Sequence, residues 1–384
     1  MHNFCIDFEN KKIVQISDGK PDSFLDDLKD IEKIDVERAE ERGRTIKILL
    51  KGKELPVIIG INEDNQMVKY ENPYLQQVGD NFLANNTSLK ELNLPQLQRA
   101  GNNFFMQNKV LEKVNLPELQ EVGDYFLGYN QKLTRLYLPK LQRAGNNFLP
   151  QNEVLAEANL PELQEVGDYF LGYNQKLTRL YLPNLQRAGD NFLKHNEVLA
   201  EANLSQLQEV GDYFLENNRK LRRLDLPKLQ RAGNNFLPQN KVLAEVNFPQ
   251  LQRAGNNFLK NNQALTKLNL LKLQQVGDYF LYMNEVLEEA NLPELQRVEY
   301  GFLASNQVLT KLNLPRRPEF EREIISRNQA RKNAIDPTDI AKIDKKNGLT
   351  RFEITSAGKL IEKQKEKFLG KKNKNRDEDK GVNR

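Results

Sequence analysis

Residues 117–138 read PELQEVGDYFLGYNQKLTRLYL, and residues 161–182 repeat them letter for letter. The segment between, 139–160, follows the same design as PKLQRAGNNFLPQNEVLAEANL. Extending this frame both ways gives eleven units of 22 residues from Pro73 to Leu314 without an insertion, 242 of the 384 residues. The shared pattern is P-x-L-Q-x-[VA]-G-x-x-F-L-x-x-N-x-x-L-x-x-[LVA]-x-[LF]. Position 1 is Pro in nine units and is replaced by Ser205 and Leu271 in the others. Position 10 is Phe and position 14 is Asn in every unit. Position 7 is Gly until the last unit, where Glu299 takes its place and Gly301 stands two residues later. The two identical units mark recent duplication, so shared letters report copying as well as selection.

A fixed period of this length specifies a solenoid, because one unit cannot bury its own apolar stripe and stacked units can. The segment L-x-x-L-x-L before each Pro, as in Leu133, Leu136 and Leu138, alternates as a short strand does. Its neighbours one unit away would run parallel at about 4.8 Å. Pro ends this strand, and L-Q-x-V-G is expected to form a second short extended piece that turns at the glycine. The stretch D-Y-F-L-x-x-N is expected to make one or two helical turns with Phe and Leu inward.

The spacing G-x-x-F-L-x-x-N-x-x-L closely resembles the BspA-like leucine-rich repeat. Phe stands at the family's Ala place, Leu at its Phe place and Asn at its Cys place, in a slightly shorter unit. The resemblance covers residues 73–314. It implies an α/β solenoid, a right-handed superhelix with a concave strand face, and a family often found on bacterial surfaces, adhering to other proteins.

Several columns have a structural reading. The Asn column, Asn86 to Asn306, is expected to be buried and bonded to backbone between turns. The Phe column is expected in the core. The Gln column, Gln76 to Gln296, is expected to stack as an amide ladder. Variation concentrates on the outward positions of the strand before each Pro: Thr134–Arg135, Ala156–Glu157, Thr178–Arg179, Ala200–Glu201, Arg222–Arg223 and Ala244–Glu245. Basic and acidic units alternate, so opposite charges become cross-strand neighbours. This either pairs the face and fixes repeat order, or makes a recognition surface. Position 21 is Asn in most units but Tyr137, Tyr181 and Asp225 in three. Aromatic residues beside arginine are the composition of binding hot spots. The candidate protein-binding set is therefore Arg135, Tyr137, Arg179, Tyr181, Arg222, Arg223 and Asp225.

The flanks divide the chain into four parts. Residues 1–71 read as an α/β cap: a hairpin from FCIDF and KKIVQIS, a helix from Pro21 to about Arg42, and strands RTIKILL and ELPVIIG around Gly52. Met67, Tyr70 and Asn72 mark a degraded first repeat strand, leading into the solenoid at 72–315. Residues 316–384 hold 20 Lys/Arg against 12 Asp/Glu, a net +8. Helices are expected at Pro318–Asn333, from Asp336, and at Thr350–Leu369, as a helical C-terminal cap over 316–369. The remainder, 370–384, reads as a disordered basic tail.

Catalytic chemistry has few candidates. One cysteine (Cys5) and two histidines (His2 and His195) leave little for a metal site or a nucleophilic triad. Cys5-Ile6-Asp7 resembles the Cys-x-Asp signature of bacterial ubiquitin ligases that carry leucine-rich repeats. Those need a large helical catalytic domain that 71 residues cannot supply, so Cys5 reads as a strand residue. His195 falls in a variable turn and reads as a surface residue. No phosphate-binding glycine cluster occurs, and no cofactor is expected. Mean hydropathy is −0.70, without a long apolar run, so no membrane span is expected. The opening MHNFCIDFENKKIV is too charged for a secretion signal, which makes the cytoplasm the default compartment, with signal-independent secretion open. The expected function is non-enzymatic protein recognition through the strand face. The alternative is a scaffold whose basic C-terminal region binds nucleic acid or an anionic surface.

Overall fold

The computed structural model describes residues 3–7, 12–17, 20–21, 31–38, 43–64, 66–315, 340–344 and 349–354. The chain forms two compact units, Met1–Lys228 and Leu229–Arg384. The first holds seven of the 22-residue repeats and the second holds four. Each repeat is one flat coil of a β-solenoid.

Two strand rows run up each unit. The first row comes from positions 19–21, for example Arg135–Tyr137, Glu157–Asn159, Arg179–Tyr181 and Glu201–Asn203, paired in parallel. The second comes from positions 5–6, for example Glu121–Val122, Arg143–Ala144 and Glu165–Val166, also parallel. Within the second unit the corresponding rows place Lys267–Asn269 beside Glu289–Asn291, and Arg231–Ala232 beside Arg253–Ala254. Leu136 and Leu138 point inward while Arg135 and Tyr137 point outward, as the alternation requires.

The expected helical turns are absent: among the described residues no helix occurs, so the fold is β rather than α/β. Positions 9, 11 and 13 of every repeat instead adopt left-handed backbone angles, as at Tyr125 (φ 56°), Leu127 (φ 49°) and Tyr129 (φ 61°). A helix sends its amides along its own axis, to carbonyls four residues back. Here they go sideways to neighbouring coils. The Tyr125 amide donates to the Asn146 carbonyl at 2.9 Å, Leu127 to Phe104 at 2.9 Å and Tyr129 to Pro150 at 3.0 Å. Alternating backbone handedness also turns Phe126 and Leu127, adjacent in sequence, both into the core, where each is fully buried. Left-handed angles cost a non-glycine residue roughly 1–2 kcal/mol, and these sideways bonds offset that cost.

Side chains complete the lattice between coils. Asn152 Nδ2 donates to the Leu127 carbonyl of the preceding coil at 3.2 Å, and Asn152 Oδ1 accepts the Asn130 amide at 2.8 Å. The buried Asn column therefore does hold coil to coil. A second polar column, the Asp or Asn at position 8, does the same: Asp124 Oδ1 accepts the Asn146 amide at 2.7 Å, and Asn146 Oδ1 accepts the Asp168 amide at 2.8 Å. Coils approach closely enough here that a Cβ on Gly101 would lie 2.5 Å from Asp80 Oδ1 and 2.6 Å from the Gly79 carbonyl carbon. That approach, rather than a special φ, disfavours a side chain at position 7 in the inner repeats, whereas a Cβ on Gly79 of the first repeat would meet nothing within 4 Å and the last repeat carries Glu299 there. The Phe column stacks ring on ring: Phe126–Phe148 at 5.2 Å and Phe148–Phe170 at 5.0 Å in one unit, Phe236–Phe258 at 4.9 Å in the other. The Gln column departs from expectation. Its side chains are exposed or half-exposed, and the stacking belongs to the backbone, with the Gln98 amide on the Gln76 carbonyl at 2.7 Å.

The N-terminal flank is β where it is described. Strands β1 (Asn3–Asp7), β2 (Lys12–Ser17) and β3 (Lys20–Pro21) form an antiparallel sheet, with Cys5 in β1. Strands β4 (Ile31–Arg38), β5 (Arg44–Leu50), β6 (Val57–Ile61) and β7 (Met67–Glu71) form an antiparallel meander. β7 pairs in parallel with Glu91–Asn93, which joins the cap to the first repeat. Of the helix expected from Pro21 to about Arg42, residues 22–30 and 39–42 lie outside the described residues, and residues 31–38 instead form β4. Three of its eight residues, Ile31, Ile34 and Val36, are β-branched, and β5 offers it a hydrogen-bonding edge. At the other end Leu349–Ile354 pairs antiparallel with Lys311–Pro315 and with Ile340–Asp344. Strands therefore stand where helices from Asp336 and Thr350 were expected. Thr350, Phe352 and Ile354 alternate at strand period, and the last repeat strand presents an open edge for them. The expected helix at 318–333, the end of the third and the tail at 370–384 lie outside the described residues.

Replacing Asn152 with Ala removes a buried side chain that serves the neighbouring coil on one side through Nδ2 and through Oδ1. A loss of about 2 kcal/mol or more is expected in urea unfolding. The exposed Gln142→Ala change should stay within about 0.5 kcal/mol of wild type.

Candidate protein-interaction face

The first strand row fixes where the candidate residues lie. Arg135 and Tyr137 flank the buried Leu136, Arg179 and Tyr181 flank Leu180, and Arg223 and Asp225 flank Leu224. Arg222 directly precedes the last of these strands and is exposed. All seven lie in the first unit and face outward. The register is Arg135↔Glu157↔Arg179↔Glu201 along one line and Tyr137↔Asn159↔Tyr181↔Asn203 along the next. The two tyrosines are therefore two strands apart, about 10 Å, and form a row with asparagines between them rather than one aromatic cluster.

Charge pairing along this row is loose. Glu157 is shared between Arg135 at 3.7 Å and Arg179 at 3.9 Å, and the arginine side chains remain 78% and 76% exposed. Lys113 and Glu91 pair more tightly, at 2.7 Å, and that hydrogen bond holds the Glu91 carboxyl below its ordinary value. Tyr137 is 60% exposed and Tyr181 is 45% exposed, the largest exposures of any described tyrosines. Between them the inward residue alternates Leu and Ala, as Leu136, Ala158, Leu180, Ala202 and Leu224. Two shallow grooves open over the alanine strands. One, of 470 Å³, is lined by Ala158, Asn159, Arg179 and Tyr181; the other, of 610 Å³, by Ala200, Ala202, Arg222, Arg223 and Asp225.

Residues 76–200, 121–244 and 208–328 match the profile described as BspA type leucine rich repeat region, in six copies. The matches span 253 of the 384 residues. The chain belongs to the BspA-type leucine-rich repeat family. Among solved structures, this BspA-type chain is similar to a leucine-rich repeat protein from Bacteroides ovatus ATCC 8483, with 16% identity over 76% of this chain and 96% of that one, at a TM-score of 0.42. It is also similar to a leucine rich cell surface protein from Faecalibacterium prausnitzii A2-165, with 11% identity over 70% and 95%, at a TM-score of 0.32. The pneumococcal vaccine antigen PcpA is a third, with 10% identity over 76% and 96%, at a TM-score of 0.34. No curated protein matches the chain significantly.

Two features of this BspA-type repeat escape a reading that attends only to the strand before each Pro. Position 5, on the second strand row, alternates as well: Arg99, Glu121, Arg143, Glu165, Arg187 and Glu209. Arg143 pairs with Glu121 and Arg187 with Glu165, and the Arg143 hydrogen bond holds the Glu121 carboxyl below its ordinary value. This alternation was legible in the sequence at the same 44-residue period. The other feature was not. At the turn edge Lys194 pairs with Glu216 at 2.9 Å, both mostly buried, and its ammonium lies 4.9 Å from the Tyr213 ring centroid. Beside it His195 is half-buried and stacks on Tyr173 at 5.0 Å, rather than standing free on the surface. Among the described residues no cluster suited to a metal ion occurs, and no helix is long and apolar enough to cross a membrane.

Burial of His195, ahead of the opposing pull of Glu216, lowers its pKa below the ordinary 6.5, with Lys194 and Arg219 lowering it and Glu197 raising it. The folded chain then binds fewer protons near that pH than the unfolded chain. Stability at this residue is present above the ordinary value and falls as pH drops through it. Asn occupies this left-handed position in other repeats, for example Asn217 and Asn261. His195→Asn is expected to lose less melting temperature than wild type between about pH 7.5 and about pH 5.5, as scanning calorimetry would record.

Proposed function

We propose that the protein is a non-enzymatic recognition module that binds another protein through the first strand row of turns three to seven. Exposure of Tyr137 and Tyr181 on that row carries the reading, because the equivalent position is Asn in eight of the eleven repeats. Holding large aromatic rings in water is unfavourable, and a partner surface that covers them gains apolar burial without reordering the backbone. Arg135, Arg179, Arg222 and Arg223 supply planar donors beside the rings. The grooves over Ala158 and Ala202 supply relief for a partner's side chains. Family membership supports a repeat protein of this kind, and the surface location stated for the Faecalibacterium protein is a property of that protein.

Immobilised full-length chain is compared with the variant Arg135→Ala, Tyr137→Ala, Arg179→Ala, Tyr181→Ala in capture from cell extract. Loss from the variant of at least one protein retained by wild type, with circular dichroism unchanged, is the expected outcome. Identical capture by both chains would remove this face from consideration.

A further inference from the structure

The strand face is complementary to itself, and we propose that its partner is a second copy of this chain. The proposal rests on the protein-binding reading of that face and names the occupant. The outward charges of turns three to six run Arg135, Glu157, Arg179, Glu201 in register. A twofold axis parallel to the strands, lying between Glu157–Asn159 and Arg179–Tyr181, reverses the order of the turns and keeps the direction of the strands. It places Glu157 opposite Arg179 of the second copy, and Arg135 opposite the second copy's Glu201. All four rows then meet the opposite charge.

The same operation matches shape. Tyr181 falls over Asn159 of the second copy, beside the groove at Ala158, and Tyr137 falls over Asn203, beside the groove at Ala202. Rings and grooves arise from one alternation, in which each tyrosine strand carries an inward Leu and each strand between carries an inward Ala. The charges within one chain leave room for a further partner, since Arg135 and Arg179 reach their shared Glu157 only at 3.7 and 3.9 Å. The match ends at the next turn out, where Lys113 would face Arg223. Four strands about 4.8 Å apart make a contact well short of the roughly 800 Å² per partner of a standard stable interface. The association is accordingly weak and is seen at high protein concentration. The alternating position-5 row offers charge but no aromatic ring, so the tyrosines separate the two faces.

Sedimentation velocity over a range of protein and salt concentrations tests this on the full chain. Four proteins are compared: wild type, an acidic variant (Arg135→Glu, Arg179→Glu), a basic variant (Glu157→Arg, Glu201→Arg) and a ring variant (Tyr137→Ala, Tyr181→Ala). Wild type should dimerise and weaken as salt rises. The acidic and basic variants should each self-associate at least tenfold more weakly, while their equimolar mixture dimerises at least as well as wild type. The ring variant should also be at least tenfold weaker. Wild type that stays monomeric overturns the proposal, as does a dimer indifferent to the ring variant, or a mixture of folded acidic and basic chains that does not pair. Should either charge variant fail to fold by circular dichroism, the ring variant and the salt series decide. A monomeric wild type that nonetheless loses a captured foreign protein on Tyr and Arg replacement would sink the self-association and leave the protein-binding reading of the face intact.

Discussion

Every coil depends on hydrogen bonds that run sideways, from one turn to the next, rather than along the chain. The left-handed residues at positions 9, 11 and 13 aim their amides at neighbouring coils, and the Asn at position 14 ties the carbonyl at position 11 to the coil above. Without a neighbour these groups would turn to water, and the left-handed angles would keep their cost of roughly 1–2 kcal/mol each with no packed lattice to offset it. One repeat therefore cannot fold alone, for polar reasons as well as apolar ones. The Phe stack and the Leu positions add burial in register with this lattice, and the close approach at position 7 follows from it.

This lattice decides where the sequence is free to vary. Positions 7, 8, 10, 11 and 14 are engaged in contacts between coils, whereas the outward positions 18, 19 and 21 meet only their cross-strand neighbours. Parallel strands in exact register place like residues side by side, so a charge copied from repeat to repeat would repel itself. The 44-residue alternation of Arg and Glu removes that conflict from Arg135 to Glu201 in the first strand row and from Arg99 to Glu209 in the second, whereas Arg231 and Arg253 stand side by side in the second unit. A duplication unit of two repeats is thus the smallest that can be copied without building a column of like charge.

Much of this was legible in the sequence. The period, the strand before each Pro, the buried Asn and Phe columns, the strands of the N-terminal flank from Arg44 onward and the cross-strand register all follow from spacing and alternation. The turn conformation did not, because D-Y-F-L-x-x-N carries apolar neighbours that suit one helical turn equally well. Its signal was the residue choice at position 9, Asn in six of the eleven repeats, the residue that tolerates left-handed angles. Gly301 gave the clearest sign: the glycine of the last repeat sits at position 9, where φ is +72°, and not at position 7, which is Glu299. The strands Ile31–Arg38 and Leu349–Ile354 were missed for a different reason. Each owes its conformation to an edge offered by another segment, the next strand along the chain for the first and Lys311–Pro315 for the second, and the propensity of the segment alone does not record that edge.

The candidate residues share one outward face, but that face is not one cluster. Alternation puts a Glu-Ala-Asn strand between successive Arg-Leu-Tyr strands, so each exposed ring is separated from the next by a strand of opposite charge and smaller volume. Any partner of this surface must read a pattern of ridge and groove repeating about every 10 Å, not a single pocket. An isolated anchor residue suits such a surface poorly, since each groove is shallow and each ion pair exposed. A rigid partner with the same period satisfies several turns at once, and the order that copying imposed on the core thereby sets the order of what can bind outside it.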